Sequence, residues 1–131
     1  MHYWAKGRDD LFKVYKLLKH EGRIPHKTHF KDALPKLRSA EVLVYESENQ
    51  VKMVFMAVMP YKGHIILDMT KRSDLAKLPA DAFRDFLRFS SQFPFIITTA
   101  ANPTIARQLE RLGFTQEDEW YVATPETIRI P

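Results

Sequence analysis

The chain of 131 residues contains no cysteine, only four glycines and no long apolar run. Without cysteine it has no disulfide framework and no thiol nucleophile, a composition compatible with a reducing compartment. No segment approaches the ~20 apolar residues of a membrane span, and the N-terminus lacks a secretory apolar stretch. We therefore expect a soluble cytoplasmic protein that has no membrane partner.

Positive charge is in excess. The formal net charge is +4 and the sequence pI is about 9.4, with lysine and arginine dense between residues 13 and 38. Lys13, Lys16 and Lys19 recur every three residues, so they form a ridge on the exposed side of a predicted helix. The ridge favours an acidic protein partner or an anionic cofactor, or it is an ordinary solvated face. No aromatic-rich nucleic-acid motif is present, so we expect no nucleic-acid partner.

Histidines are grouped in one short stretch. His20, Glu21, His26 and His29 lie close together, but Pro25 splits the group and its spacing fits no zinc motif. We expect a charged loop and no metal site.

Apolar periodicity and turn residues predict one compact domain over residues 1–131. The predicted elements alternate between helix and strand, with three consecutive strands in the middle that suit an antiparallel meander. In chain order they are a strand at 1–6, a helix capped by Asp9 or Asp10 and ended by Gly22, a helical segment at 29–37, strands at 42–45, 51–59 and 64–70, a helix opening at 78–81, a strand at 95–99, a helix from Asn102 to Gly113, and a strand at 119–123.

The segment from residue 95 to residue 114 is the most informative. An apolar strand leads to Asn102 and Pro103, which supply a helix N-cap and a proline at the first helical position. The helix carries an apolar stripe that includes Leu109, and it closes with Leu112, Gly113 and Phe114. This segment resembles the C-terminal half of the GNAT superfamily, the N-acyltransferases that use acyl-coenzyme A.

The resemblance extends to the order of elements over nearly the whole chain. It implies an α/β (α+β) fold with a mixed, mostly antiparallel central sheet flanked by helices. It also implies acetyl-coenzyme A as co-substrate and an amine-bearing acceptor. In that family an Asn near the start of the last helix lies beside the pantetheine arm, which corresponds here to Asn102. Domains of this kind often pair through their C-terminal strands, so the resemblance implies a homodimer.

The chain departs from the family at the loop that binds pyrophosphate. The family pattern there contains glycines, whose backbone amides approach the phosphates. The corresponding segment lacks glycine, so binding would depend on side-chain charge and a hydroxyl. The residues assigned to the coenzyme are Met69, Thr70, Lys71, Arg72 and Ser73. A solvated basic loop is the alternative interpretation.

Two residues are candidates for proton transfer. The family often places a carboxylate base on the fourth strand, where this chain has Asp68. Strand alternation predicts that Asp68 and Thr70 share a face with His64, so that Asp68 and His64 share a cleft, while Met69 faces the other side. Tyr121, on the last strand and facing away from Trp120, is a candidate acid. The alternatives are a solvated carboxylate and an aromatic residue that serves only packing.

Two functions follow. One is an N-acyltransferase that moves an acetyl or other acyl group from coenzyme A to an amine. The other is a catalytically inactive protein of the same fold that binds a protein or another macromolecule. The glycine-free loop, and Leu109 where the family often has a tyrosine acid, favour the second. The transferase is nevertheless our first hypothesis, because the resemblance is to a family dominated by transferases and a divergent loop can still hold coenzyme A. Small GNAT-like proteins with an eroded coenzyme loop occur in tailed bacteriophages, and the compact chain is similar to them.

Overall fold

The structure, a computed structural model, describes all 131 residues. Its seven strands are β1 (His2–Trp4), β2 (Glu41–Ser47), β3 (Gln50–Val58), β4 (His64–Lys71), β5 (Phe95–Thr98), β6 (Thr115–Glu117) and β7 (Trp120–Ala123). Its four helices are α1 (Arg8–His20), α2 (Phe30–Arg38), α3 (Ala80–Ser90) and α4 (Pro103–Arg111). No helix is both long enough and apolar enough to cross a membrane.

The strands form one sheet in the order β1-β2-β3-β4-β5-β7-β6. β1 is antiparallel to β2, and β7 is antiparallel to both β5 and β6, whereas β4 and β5 are parallel. The connections from β2 to β3 and from β3 to β4 are shorter than the dozen or so residues that a parallel crossover needs. These connections therefore make hairpins, and the predicted mixed, mostly antiparallel sheet is confirmed.

One strand, β6, was not predicted from the sequence. We predicted a single strand after α4, but the structure has β6 and β7, joined by a turn in which Asp118 has a φ of 56°. All three residues of β6 are exposed. An exposed strand carries no apolar alternation, so its sequence does not distinguish it from a loop.

By their contacts the residues divide into two compact units, one of Met1–Met56 with Met69–Phe83 and one of Ala57–Asp68 with Arg84–Pro131. The prediction of a single domain over residues 1–131 stays a prediction. In the first unit, one apolar core joins α1 and α2 to β2 and β3. Its buried members are Leu11, Val14, Tyr15, Leu17, Leu18, Leu34, Leu37, Val42, Val44, Val51 and Val54.

Local chemistry sets the ends of the elements in this unit. Glu48 and Asn49 have φ values of 57° and 60°, the left-handed pair that a two-residue hairpin turn requires. The N-cap of α1 is Gly7, not Asp9 or Asp10, because the Asp10 carboxylate instead accepts a hydrogen bond from the Lys6 amide at 2.9 Å. α2 continues through its proline rather than stopping there.

The first strand is joined to β2 by an ionic network as well as by backbone pairing. The Glu46 amide donates to the Met1 carbonyl at 2.8 Å, and the Tyr3 hydroxyl donates to the Glu46 carboxylate. The Lys13 ammonium lies 3.2 Å from the same carboxylate oxygen. The hydrogen bond from Tyr3 is the largest cause that lowers the pKa of Glu46. Burial, followed by the contact with Glu46, raises the pKa of Tyr3.

In the second unit, α4 has well-formed ends. The Asn102 side-chain oxygen accepts from the Ile105 amide at 2.9 Å, which confirms the predicted N-cap. At the other end, the Gly113 amide donates to the Glu110 carbonyl and the Phe114 amide donates to the Leu109 carbonyl, both at 3.0 Å. This pair of bonds is the Schellman motif, and Gly113 has the left-handed φ of 95° that the motif needs.

The C-terminal segment packs on this turn. The Arg129 amide donates to the Leu112 carbonyl at 2.7 Å, and the Arg84 guanidinium donates to a Pro131 oxygen at 2.7 Å. A Cβ atom on Gly113 would lie 1.9 Å from the Thr127 carbonyl oxygen. Gly113 is therefore required both by its backbone conformation and by the close approach of the tail.

We predict that Gly113→Ala destabilises the protein by about 2 to 4 kcal/mol, because it adds a steric clash to the left-handed backbone strain. Gly22→Ala is the matched control. Gly22 closes α1 with the same motif and a φ of 74°, but nothing lies within 4 Å of its added Cβ. We expect Gly22→Ala to cost only about 1 kcal/mol in urea unfolding. Equal losses for the two variants would contradict tail packing on Gly113.

We also predict a pH-dependent effect of Tyr3→Phe. A lowered folded-state pKa of Glu46 gives stability that is present above the unfolded-state pKa of about 4.3 and is lost as the pH falls through the folded-state pKa. The variant should lose about 1 to 2 kcal/mol at neutral pH, and the difference from the parent should shrink on acidification. Urea unfolding over a pH series measures both, with Tyr45→Phe as the control. A difference that does not change with pH would refute the assignment.

Candidate active site

The candidate site lies at β4 and β5, the only two neighbouring strands of the sheet that are parallel. His64, Ile65 and Ile66 pair with Phe95, Ile96 and Ile97. The pairing ends there, although β4 continues to Lys71. At the next level, the Thr98 hydroxyl donates to the Leu67 carbonyl at 3.1 Å. A side chain therefore replaces the backbone ladder at the carboxyl end of this pair.

Asp68 follows Leu67 on β4 and is exposed. Leu67 is buried, so alternation directs the Asp68 side chain to the opposite face of the strand. Its exposure leaves the Asp68 carboxylate outside the apolar core. The catalytic role of Asp68 stays a prediction.

His64 lies apart from Asp68. Four residues of strand separate their backbones by about 13 Å. The His64 ring lies between two aromatic rings, 4.4 Å from the ring centre of Tyr61 and 4.7 Å from that of Phe95. The two side chains therefore do not share a cleft.

Tyr121 lies on β7, opposite Thr98 of β5. Its side chain is buried, whereas the neighbouring Trp120 is exposed, so the prediction that these two residues face opposite sides is confirmed. The Tyr121 hydroxyl makes no hydrogen bond within the protein, yet no fully buried side-chain polar atom lacks a partner. The ring is therefore packed while the hydroxyl reaches solvent, an arrangement that leaves the phenol proton available.

Asp68 on β4 and Tyr121 on β7 are separated by β5, and their side chains leave different faces of the sheet. Directly opposite residues point to the same face, so Tyr121 shares the face of Thr98 and of Leu67. Asp68 leaves the sheet on the other face. The two predicted residues therefore lie at nearly the same position along their strands, but the structure does not place their side chains together.

Asn102 lies four residues beyond the end of β5 and is exposed. Its side-chain oxygen is used by the helix cap, while its amide NH₂ group has no partner within the protein. This residue can therefore cap α4 and donate a hydrogen bond to a ligand at the same time. Leu109, at the position where the family often has a tyrosine, is buried and supplies no acid.

The loop after β4 belongs to the first unit, and its cations already have partners. The Lys71 ammonium donates to the Leu75 carbonyl at 2.7 Å and to the Arg72 carbonyl at 3.3 Å. The Arg72 ε nitrogen lies 3.3 Å from the Asp74 carboxylate. Burial, the largest single influence, raises the pKa of Asp74. Lys52 and Arg72 together outweigh it, so the pKa lies below its usual value.

Two backbone amides of the loop are also in use. The Arg72 amide donates to the Lys52 carbonyl at 2.8 Å, and the Leu75 amide donates to the Arg72 carbonyl at 3.0 Å. These two amides are therefore not available to a phosphate. The residues fit an anionic coenzyme through side chains instead, with the ammonium of Lys71, the guanidinium of Arg72 and the exposed hydroxyl of Ser73 as donors.

The remaining two assigned residues offer backbone rather than side-chain groups. Thr70 is buried, and the Met69 carbonyl accepts from the Arg23 guanidinium at 3.3 Å. The predicted alternation along β4 fails here, because Thr70 rather than Met69 is the buried residue. The period of two holds through Asp68 and is lost at Met69 and Thr70, beyond the level where the pairing with β5 ends.

Comparisons with known proteins were made by sequence and by structure. No protein-family model and no curated protein sequence matches the chain. Solved structures match it over nearly its whole length. A GNAT family acetyltransferase from Brucella melitensis, in complex with acetyl-CoA, has a TM-score of 0.65 at 15% identity, with 95% of this chain and 88% of that chain covered.

Two further matches have the same character. Ribosomal-protein-alanine N-acetyltransferase from Brucella melitensis has a TM-score of 0.68 at 11% identity, over 93% of this chain and 99% of that chain. Aminoglycoside 6'-acetyltransferase type Ii has a TM-score of 0.67 at 11% identity, over 100% of this chain and 99% of that chain. This chain therefore has the GNAT fold and is a divergent representative of it.

Proposed function

We propose that this protein is an N-acyltransferase that moves an acetyl or other acyl group from coenzyme A to an amine. The observation that carries the proposal is the end of the β4–β5 pairing after Ile66 and Ile97, in a fold that matches solved acetyltransferases. Beyond this point β4 has backbone groups that β5 does not pair. An extended, amide-containing ligand can bond to such groups as an added strand does.

The structural neighbours support this function over a non-enzymatic binding role. They include acetyltransferases, and one of them was solved with acetyl-CoA. The inactive binding protein considered from the sequence gains no support from these comparisons. The glycine-free loop changes how a coenzyme is held and does not by itself remove the reaction.

In the proposed reaction, the coenzyme supplies an activated acyl group as a thioester. Asp68 accepts the proton that the attacking amine loses as the new C–N bond forms. Tyr121 donates its phenol proton to the sulfur as the C–S bond breaks. Because the two side chains leave different faces of the sheet, only one of them can contact the reacting atoms directly, and the other exchanges its proton through a bridging water. The Asn102 amide NH₂ orients the coenzyme arm, and backbone amides of β4 polarise the carbonyl.

The cations after β4 hold the phosphates in this proposal. Lys71, Arg72 and Ser73 contribute charge and a hydroxyl where glycine-loop enzymes contribute amides. Because Lys71 is bonded to loop carbonyls in the structure, its ammonium must exchange these partners for phosphate oxygens. The loop therefore rearranges on binding, and affinity should depend on salt more strongly than in an amide cradle.

We predict that Asp68→Asn lowers the rate of thiol release from acetyl-CoA by a factor of about 10² or more. Tyr121→Phe should lower kcat by about tenfold or more. The assay supplies amines of different classes, namely a polyamine, a lysine peptide, a peptide with a free N-terminus and an aminoglycoside.

Asp32→Asn and Tyr61→Phe are the matched controls, because both residues are exposed and neither lies on β4 beyond Ile66 or on β7. Each control should keep the parent rate. Unchanged rates in Asp68→Asn and Tyr121→Phe would refute the assigned roles. Absence of thiol release with every class of amine would count against the transferase itself.

A further inference from the structure

The second unit has an open sheet face, and Asp68 lies on it. Residues that pair across neighbouring strands point to the same side of the sheet. Ile66 on β4, Ile97 on β5 and Val122 on β7 form one such row, in direct register. All three are only partly buried, whereas the residues that alternate with them on these strands are buried. The row therefore gives this face an aliphatic surface that a ligand can reach.

Trp120 continues the open face at the next level. It is two residues from Val122 on β7, so alternation places both side chains on the same side. Trp120 is 38% exposed, its indole nitrogen has no hydrogen-bond partner within the protein, and its ring contacts no other ring and no cation. Tryptophan is the aromatic residue that binds cations best, so this free ring is suited to an ammonium group.

A carboxylate lies beside this ring. Glu117 on β6 is directly opposite Trp120, so the two side chains leave the sheet on the same side. Glu117 is exposed and has no ion pair. The hairpin at residues 115–123 also contains Asp118 and Glu119 and has no lysine or arginine, although the whole chain has a net charge of +4. The hairpin is thus a region of negative charge in a basic protein, and it attracts cations.

Asp68 and Trp120 lie on the same face with β5 between their strands. Two strand spacings separate their backbones by about 10 Å. Thr99, which follows β5, is exposed at this level, and the aliphatic row lies one step further along the strands. This surface suits an aliphatic chain better than a sugar or a peptide, whose hydroxyl and amide groups would find few partners on it.

We infer that the acceptor is an aliphatic diamine that lies across this face. One amine reacts beside Asp68, and the second amine, which stays protonated, lies over the Trp120 ring and next to the Glu117 carboxylate. The inference rests on the proposed function, in which Asp68 is the base. The transfer itself is unchanged: the C–N bond forms at one end of the diamine, the C–S bond breaks, and the ammonium at the other end keeps its proton. Trp120 and Glu117 position the acceptor and do not contact the reacting atoms.

The first test measures binding in the absence of acetyl-CoA. The ¹⁵N-labelled full chain is titrated with putrescine, and the indole N–H signals of Trp120 and Trp4 are followed. We expect the Trp120 signal to shift and to saturate at millimolar putrescine, while the signal of Trp4 on β1 stays in place. Butylamine has a single amine and cannot contact Asp68 and Glu117 together, so it should bind about fivefold more weakly.

Two variants test the residues that hold the second amine. Glu117→Gln should weaken putrescine binding about fivefold. Trp120→Leu, followed through the Val122 amide, should weaken it about threefold. Glu126→Gln is the matched control, because it removes the same charge from an exposed residue of the same unit that lies in the tail beyond β7.

The second test compares the two amines as acceptors by thiol release from acetyl-CoA. We expect kcat/KM to be higher for putrescine than for butylamine, and Glu117→Gln to lower the value for putrescine only. The inference is overturned if putrescine gives no saturable shift of the Trp120 signal, if Glu117→Gln and Glu126→Gln bind it equally, or if both amines react equally well. If no amine releases thiol while putrescine still binds at Trp120, the transferase fails and the diamine site remains supported.

Discussion

The parallel pairing of β4 with β5 is the constraint on which the rest of the candidate site depends. Parallel neighbours need a crossover, which α3 provides between them, and they end at the same edge of the sheet. Because the ladder stops after Ile66 and Ile97, a side-chain bond from Thr98 to the Leu67 carbonyl takes the place of the next backbone bond. Asp68 follows this level directly, Tyr121 pairs with Thr98, and Asn102 begins the helix that follows β5. Ligands of sheets with parallel strands bind beyond such carboxyl ends.

Sequence reasoning succeeded where a local physical rule decides the structure. Asn102 as a cap, Gly113 as a left-handed terminator and the opposite faces of Trp120 and Tyr121 follow from bonds or alternation within a few residues. It failed where long-range contacts decide. β6 is exposed on all three residues, and alternation along β4 breaks after Asp68, beyond the end of its pairing with β5. The carbonyl partners of Lys71 leave no pattern in the sequence, since they depend on the folded loop.

The loop after β4 shows how the same fold can tolerate the loss of glycine. Without glycine, the backbone does not present a row of free amides, and two of them bond to carbonyls. Lys71 and Arg72 instead stabilise the loop through contacts with its carbonyls and with Asp74. In the proposed function these cations would hold the coenzyme phosphates as well as stabilise the loop. The absence of glycine is also the feature of the sequence that supports the alternative of a binding protein.

Calorimetric titration with acetyl-coenzyme A, at low and at moderate salt, is the decisive test of coenzyme binding by the glycine-free loop. We predict micromolar binding that weakens as salt rises and is lost in the Lys71→Ala, Arg72→Ala double variant. The Lys36→Ala, Arg38→Ala variant is the matched control, because it removes two exposed basic residues at the end of α2 and should bind as the parent does. Absence of binding at millimolar coenzyme would contradict the transferase, and equal binding by both double variants would contradict the role given to the glycine-free loop.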